Sequence, residues 1–102
     1  MYRIGVVPLH GFALMSYASL VEPFRAANFL SENNFYEVIN FSDSKEGNVS
    51  SSGLKIFGDY FIGDTPDLDI FFVIAGGDPF KYNNKTLYKW MNKLAQNGVT
   101  IG

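Results

Sequence analysis

The stretch DIFFVIAGG, residues 69–77, decides the fold. After its first residue it is an apolar run, rich in β-branched and aromatic side chains, that is typical of a strand buried on both faces of a parallel sheet. A similar run, IGVVPL, occupies residues 4–9, and we expect Pro8 at the exit of that strand, where no backbone donor is needed. Two strands of this kind predict an α/β domain built on a parallel sheet.

The residues around these strands predict the remaining elements. Apolar residues at helical spacing over about residues 14–30 predict a first helix, and Pro23 predicts either a kink or a helix start near Ser19. The other expected elements are a strand at 36–41, a hairpin at 49–57 turning near Ser52-Gly53, a helix that Asn84 can cap and Gly98 ends, and a strand from residue 99. This order predicts a doubly wound sheet in which a hairpin insertion around residues 48–58 replaces a helix.

Two helices are too few to cover both faces of a parallel sheet, and no helix follows the last predicted strand. The sequence contains no internal repeat, low-complexity tract or interdomain linker. We therefore expect residues 1–102 to be the N-terminal part of one larger α/β domain, or a domain completed by another copy.

Composition excludes several classes of protein. Hydrophobic residues make up 47% and charged residues 18%, as in a globular chain, and the net charge of −2 argues against binding nucleic acid or an anionic membrane by bulk charge. The chain has no cysteine, so these residues supply no disulfide, thiolate zinc site or cysteine nucleophile. The start has the pattern of a strand and not of a signal peptide, and no apolar run approaches the roughly 20 residues that span a bilayer. We expect a cytoplasmic protein.

Two glycines follow the strongest strand. Ligands of open α/β sheets bind beyond the carboxyl ends of the strands, and the backbone N–H groups of Gly76 and Gly77 could approach a ligand or an oxyanion closely there. The alternative is a tight turn that needs a positive φ. Neither GxGxxG nor GxxxxGK occurs, so no phosphate-binding fingerprint is present. Asp78, the next residue, is a candidate for the rim of the same pocket.

Three further residues are candidates for ligand binding. Glu22, on the first helix, could bind a cationic ligand or orient a nucleophile, although it could equally complete a capping box with Ser19 or form a surface pair with Arg25. His10 is the only histidine and lies in the loop after the first strand, without an acid–base partner or a metal-ligand spacing. Phe12 could offer an aromatic wall to a cation or pack in the core. We predict no metal site and no cofactor.

Three stretches together carry a family resemblance: PLHGFALMSYASLVEPFRAANFL (8–30), SSSGL (50–54) and DLDIFFVIAGGDP (67–79). They resemble the class I glutamine-amidotransferase-like, or PfpI-type, domain. EPFRAAN (22–28) more narrowly resembles the N-terminal sensing domain of AraC-type transcription regulators linked to arginine, carnitine and betaine metabolism. The resemblance covers nearly all of the chain. It implies a flavodoxin-like fold with helices on both faces, a small amine or amino-acid effector, and a DNA-binding helix-turn-helix domain that lies outside residues 1–102.

The resemblance also implies where chemistry would lie. Hydrolytic members carry a cysteine on a nucleophile elbow after the strand that begins here at Val99, and a glutamate on the first helix lies beside it; Glu22 occupies the matching place. In the regulator branch the catalytic set is generally degraded. The sequence therefore favours an effector-sensing fragment that acts as a homodimer, with no catalytic residue of its own. The alternatives are a PfpI-like cysteine hydrolase or amidohydrolase whose nucleophile follows residue 102, and a self-standing module in which two chains complete one sheet.

Overall fold

The structure, a computed structural model, describes residues 1–76 and 85–102. In chain order, these residues form β1 (Tyr2–Pro8), α1 (Leu14–Ser31), β2 (Tyr36–Ser42), β3 (Asn48–Val49), β4 (Lys55–Ile56), β5 (Tyr60–Phe61), β6 (Ile70–Ile74), α2 (Lys85–Gln96) and β7 (Thr100–Ile101). The predicted helix cap at Asn84 lies outside the described residues.

Five strands form one parallel sheet in the order β5-β2-β1-β6-β7. The central strand β1 pairs with β2 up to Val6 and Asn40, and with β6 up to Pro8 and Ile74. A separate antiparallel pair, β3 and β4, forms the hairpin. The parallel sheet, its doubly wound order and the hairpin insertion are thus confirmed.

The two helices lie on opposite faces of the sheet because side chains alternate along each strand. Val6 faces α1, and Val7 faces α2. The buried centre of the α1 face consists of Ile4, Val6, Phe12 and Ile74, and α1 packs Leu14, Tyr17, Leu20, Val21 and Phe24 against it. Both faces of the central strands are therefore covered, which explains why those strands are apolar throughout.

Three aromatic rings form the centre of the α2 face. The ring centroid of Trp90 lies 5.0 Å from the centroids of both Phe41 and Phe71, which are themselves 5.8 Å apart. The three rings meet edge to face, the arrangement that aromatic quadrupoles favour. The indole Nε1–H of Trp90 donates a 2.8 Å hydrogen bond to the backbone carbonyl of Asp64, so its polar atom is satisfied. The cluster fixes α2 on the sheet.

Helix α1 runs unbroken through Pro23, so the predicted span of the helix is confirmed and the alternative start near Ser19 is wrong. Proline in a helix interior costs ~3 kcal/mol because it removes a backbone hydrogen bond. Here Val21 and Phe24 pack against the sheet on either side of Pro23, and that packing outweighs the local cost. Gly98, two residues after the end of α2, has a φ of 89°, so the predicted stop of the second helix is also confirmed.

Tyr17 joins α1 to β2. Its hydroxyl donates a 2.8 Å hydrogen bond to Oδ1 of Asn40. Burial raises the pKa of the Tyr17 phenol above its ordinary value of 10.0; the hydrogen bond with Asn40 opposes this shift, and the Asp59 carboxylate adds to it. The neutral phenol is therefore the form that the folded chain favours.

We expect the Phe41→Ala variant to lose about 3–5 kcal/mol of unfolding free energy, because the truncation empties the space between Phe71 and Trp90. Urea unfolding measures the loss. The matched control is Phe57→Ala, since Phe57 is 62% exposed and its truncation should change stability by no more than about 0.5 kcal/mol. Equal losses in the two variants would contradict the aromatic cluster as the centre of this face.

We expect Tyr17→Phe to be less stable than the wild type at neutral pH by about 1 kcal/mol, the typical value of one hydrogen bond. The raised pKa means that the folded chain keeps the phenol proton over a pH range in which the unfolded chain loses it. The stability that Tyr17 contributes is therefore complete below about pH 10 and falls as the pH rises through the folded pKa. Urea unfolding at several alkaline pH values should show that the difference in unfolding free energy between the wild type and Tyr17→Phe becomes smaller as the pH rises. A gap that stays constant would contradict the raised pKa.

Candidate functional site

The topology creates one switch point, between β1 and β6. From β1 the chain moves through α1 to β2 on one side, and it later returns to place β6 on the other side of β1. Connections that leave β1 and β6 therefore diverge to opposite faces, and the crevice between them is where open α/β sheets bind ligands. The loop at residues 9–13 and the residues Ala75 and Gly76 border that crevice. We call this region the carboxyl edge.

Gly76 lies against the loop that follows β1. A Cβ atom at this position would stand 2.5 Å from the carbonyl oxygen of Gly11 and 2.7 Å from the amide nitrogen of Ala13. Its φ lies outside the left-handed region, so the positive-φ alternative does not account for this glycine. Close backbone approach requires it instead.

The hairpin closes the other side of the same loop. The Gly11 N–H donates to the Val49 carbonyl at 2.7 Å, and the Ser51 N–H donates to the Phe12 carbonyl at 2.8 Å. Phe12 and Ser50 thereby form a parallel bridge. The loop after β1 is therefore held between the hairpin and Gly76, and its backbone has little freedom.

His10 has a partner that the sequence did not indicate. Its Nε2 lies 3.2 Å from Oδ2 of Asp43, the first residue after β2, and its Nδ1 accepts a 3.4 Å hydrogen bond from the Val49 N–H. The side chains of His10 and Asp43 are 54% and 36% exposed, so both remain accessible from solvent. An imidazole that accepts at Nδ1 carries its proton on Nε2 when neutral, and it donates that proton to the carboxylate. His10 and Asp43 are 33 residues apart in the sequence, and the adjacency of β1 and β2 in the sheet brings them close.

Glu22 lies elsewhere. It is eight residues into α1, hence ~12 Å along the helix axis from the end that starts at the carboxyl edge. Its carboxylate accepts a 2.7 Å hydrogen bond from Nε of Arg25. The surface pair is therefore present, and the capping box is excluded because Ser19 lies in the helix interior. Participation of Glu22 in a ligand site stays a prediction.

The remaining predicted residues divide into two groups. Phe12 is fully buried, and its ring centroid lies 5.8 Å from that of Tyr17, so the structure supports the packing role and leaves no open ring face. Gly77 and Asp78 lie outside the described residues. Sequence reasoning missed Asp43 and Asn48; their position at predicted strand ends was the only signal that could have pointed to them.

A small cavity of about 100 Å³ lies at the opposite, amino edge of the sheet. Residues 65–68 line it together with Leu94, Asn97 and Val99. Ligand pockets are typically about 300–1,000 Å³, so this cavity is smaller than a typical ligand site.

Two kinds of feature are absent over residues 1–76 and 85–102. No group of three or more histidine, aspartate or glutamate side chains could hold a metal ion there. The same residues form no helix of the length and apolar character that crossing a membrane requires.

We expect Gly76→Ala to destabilise the fold by about 1–3 kcal/mol, because the added methyl group collides with the backbone at Gly11 and Ala13. Thermal or urea unfolding checks this value. Ala75→Ser is the matched control, since Ala75 is exposed and the change should stay within about 0.5 kcal/mol. Wild-type stability in Gly76→Ala would mean that β6 does not hold the loop after β1.

Two curated relatives match nearly the whole chain. The HTH-type transcriptional regulator GlxA of Rhizobium meliloti (strain 1021) is 34% identical over 101 residues, which are 98% of this chain and 31% of the relative. The HTH-type transcriptional regulator CdhR of Pseudomonas aeruginosa is 34% identical over 95 residues, which are 92% of this chain and 28% of the relative. This chain thus spans about a third of the length of these relatives. No protein-family profile matches it.

Solved structures show the same fold. An AraC family transcriptional regulator from Pseudomonas putida superposes with a TM-score of 0.83 at 22% identity, covering 100% of this chain and 63% of that one. A ThiJ/PfpI family protein from Pseudomonas syringae superposes with a TM-score of 0.70 at 21% identity, covering 98% of this chain and 41% of that one. The predicted resemblance is confirmed: over nearly its whole length this chain is homologous to one segment of HTH-type transcriptional regulators, and it has the α/β fold of the ThiJ/PfpI family protein.

Proposed function

We propose that this chain is the effector-sensing part of an AraC-type transcription regulator, and that a small amine or amino-acid metabolite binds at the carboxyl edge. The observation that carries the proposal is 34% identity to an HTH-type regulator over 98% of the chain. The arrangement of the edge agrees with it, because the crevice between β1 and β6 is bordered by a loop that the hairpin and Gly76 hold in place. A preorganised crevice of this kind binds a small ligand without the cost of ordering a loop.

In this proposal each candidate residue has its own role. Gly76 and Gly77 supply backbone donors, His10 and Asp78 border the ligand, and Phe12 supports the crevice from below. Glu22 lies ~12 Å along α1 from this edge, so it recognises the charged end of an effector that extends along the helix. An effector that contacts the loop at residues 9–13 also acts on the hairpin, because Gly11 and Phe12 share backbone hydrogen bonds with Val49 and Ser51. Occupancy would then shift the population of conformers by its differential affinity for them.

The rest of the regulator lies outside these residues in the proposal. A helix-turn-helix domain reads DNA, the protein acts in the cytoplasm, and two copies form a homodimer. The outer side of α1 supports the proposed homodimer, since Met15, Phe29 and Leu30 are 81%, 75% and 80% exposed. Exposed apolar side chains of this size are common at protein contacts.

The proposal assigns no enzymatic activity to this chain. The 102 residues contain no cysteine, so a PfpI-like hydrolase would need a nucleophile from outside them. The likeness to the ThiJ/PfpI protein, at 21% identity, is one of fold. Fold alone does not carry an activity, so the hydrolase remains the less favoured alternative.

The test is calorimetric titration of the 102-residue chain with L-arginine, L-carnitine and glycine betaine. We expect at least one of them to bind, and Glu22→Gln to weaken that binding about tenfold, because a hydrogen bond to a charged group contributes roughly 1.5–3 kcal/mol. Glu37→Gln is the matched control: Glu37 also faces an arginine, with its Oε2 3.4 Å from Nε of Arg3, but lies on β2.

Two results would count against these assignments. Unchanged affinity in Glu22→Gln would remove Glu22 from the site. The absence of binding by all three compounds would contradict the proposed class of effector.

A further inference from the structure

One fully buried side chain, Asn48, joins the ends of two strands of the sheet. Its Nδ2 donates a 2.9 Å hydrogen bond to the carbonyl oxygen of Pro8, the last residue of β1. Its Oδ1 accepts a 3.2 Å hydrogen bond from the N–H of Asp43, directly after β2. The partners fix the orientation of the amide, because a proline carbonyl can only accept and a backbone N–H can only donate.

This bridge lies where the backbone pairing of β1 and β2 has stopped. The last paired residues are Val6 and Asn40, so Pro8 and Asp43 no longer have each other as partners across the two strands. Buried backbone groups need a partner, and an unpaired one costs ~1–3 kcal/mol. The amide of Asn48 takes the place of the missing backbone pair on this side of β1.

The bridge also determines where two exposed side chains meet. His10 is two residues beyond Pro8, and Asp43 is held through its own N–H. Val49, the neighbour of Asn48, donates its N–H to Nδ1 of His10 while Nε2 faces the Asp43 carboxylate. Both nitrogens of the imidazole are thereby occupied by groups whose positions depend on Asn48.

We propose that Asn48 is the positioning residue of the carboxyl edge, and that it sets the pairing of His10 with Asp43. The inference rests on the proposed function only in taking this edge as the binding side. It predicts that a change to the amide of Asn48 breaks two things together: the pairing of His10 with Asp43, and the contacts that hold the hairpin against the ends of β1 and β2. A merely structural asparagine would lower stability without acting on His10 in particular.

The chain offers a matched control in Asn28. Its Nδ2 donates to the Tyr36 carbonyl at 2.8 Å, and its Oδ1 accepts from the Tyr36 N–H at 3.1 Å. It makes the same two kinds of bond as Asn48, but at the start of β2, far along the strand from Asp43. Asn28→Asp and Asn48→Asp therefore make the same chemical change at opposite ends of the sheet.

The experiment reads the ring ¹⁵N signals of His10, which need no assignment against other rings because the chain has one histidine. The wild type should show a single tautomer protonated on Nε2. In Asn48→Asp we expect these signals to move toward those of histidine in an unstructured peptide, and the Val49 amide to exchange at least about tenfold faster, equal to ~1.4 kcal/mol. Asn28→Asp should leave the His10 ring signals and the exchange rate of the Val49 amide unchanged.

Several outcomes would overturn the inference. His10 signals that stay at their wild-type values in folded Asn48→Asp would do so, as would equal displacement in Asn28→Asp. If Asn48→Asp does not fold, the wild type decides: fast exchange of the Asn48 side-chain amide protons, or a His10 tautomer protonated on Nδ1, contradicts the bridge. No effector is added, so a failure here is distinct from a failure of the calorimetric test.

Discussion

Beyond Val6 and Asn40 the backbones of β1 and β2 no longer pair, so the polar groups at the ends of both strands need other partners. The hairpin supplies them. Its first residue, Asn48, bonds to both strand ends, and the next residues pair with the loop after β1. The departure from a regular strand–helix–strand order after β2 is therefore what completes the carboxyl edge. A helix in its place would leave the Pro8 carbonyl without the amide that it accepts from.

The strands and helices could be predicted because they depend on features that a short stretch of sequence displays, such as the spacing of apolar residues or a glycine at a helix end. A run such as residues 70–75 is apolar because the strand is covered on both faces, and the stop at Gly98 follows from its positive φ. Pro23 suggested a second possible start for α1, since local propensity opposes a proline inside a helix. Because Val21 and Phe24 pack on the sheet, the helix starts at Leu14 and continues through Pro23. Packing of this kind cannot be derived from local propensity.

The candidate site was less accessible from sequence for a different reason. The pairing of His10 with Asp43 depends on which strands are neighbours and on how far each extends, and neither quantity is local. The role of Gly76 depends likewise on how closely β6 approaches the backbone at Gly11. Motif reasoning favoured Glu22 because it stands in a recognisable stretch. In the structure, the carboxylate at the sheet edge next to His10 is that of Asp43.

The two helices differ in how deeply they are buried, and in the proposed sensing function this affects how a signal could leave the carboxyl edge. Helix α2 buries Leu87, Trp90 and Leu94, whereas no residue of α1 is fully buried. A well-packed layer resists displacement, because each shift forfeits many contacts at once. The loop after β1 leads directly into α1, and the hairpin that grips this loop contributes Ile56 to the same face as α1. A ligand that moves the loop would therefore displace α1 and the hairpin at lower cost than α2, and the outer side of α1 is where Met15, Phe29 and Leu30 are exposed.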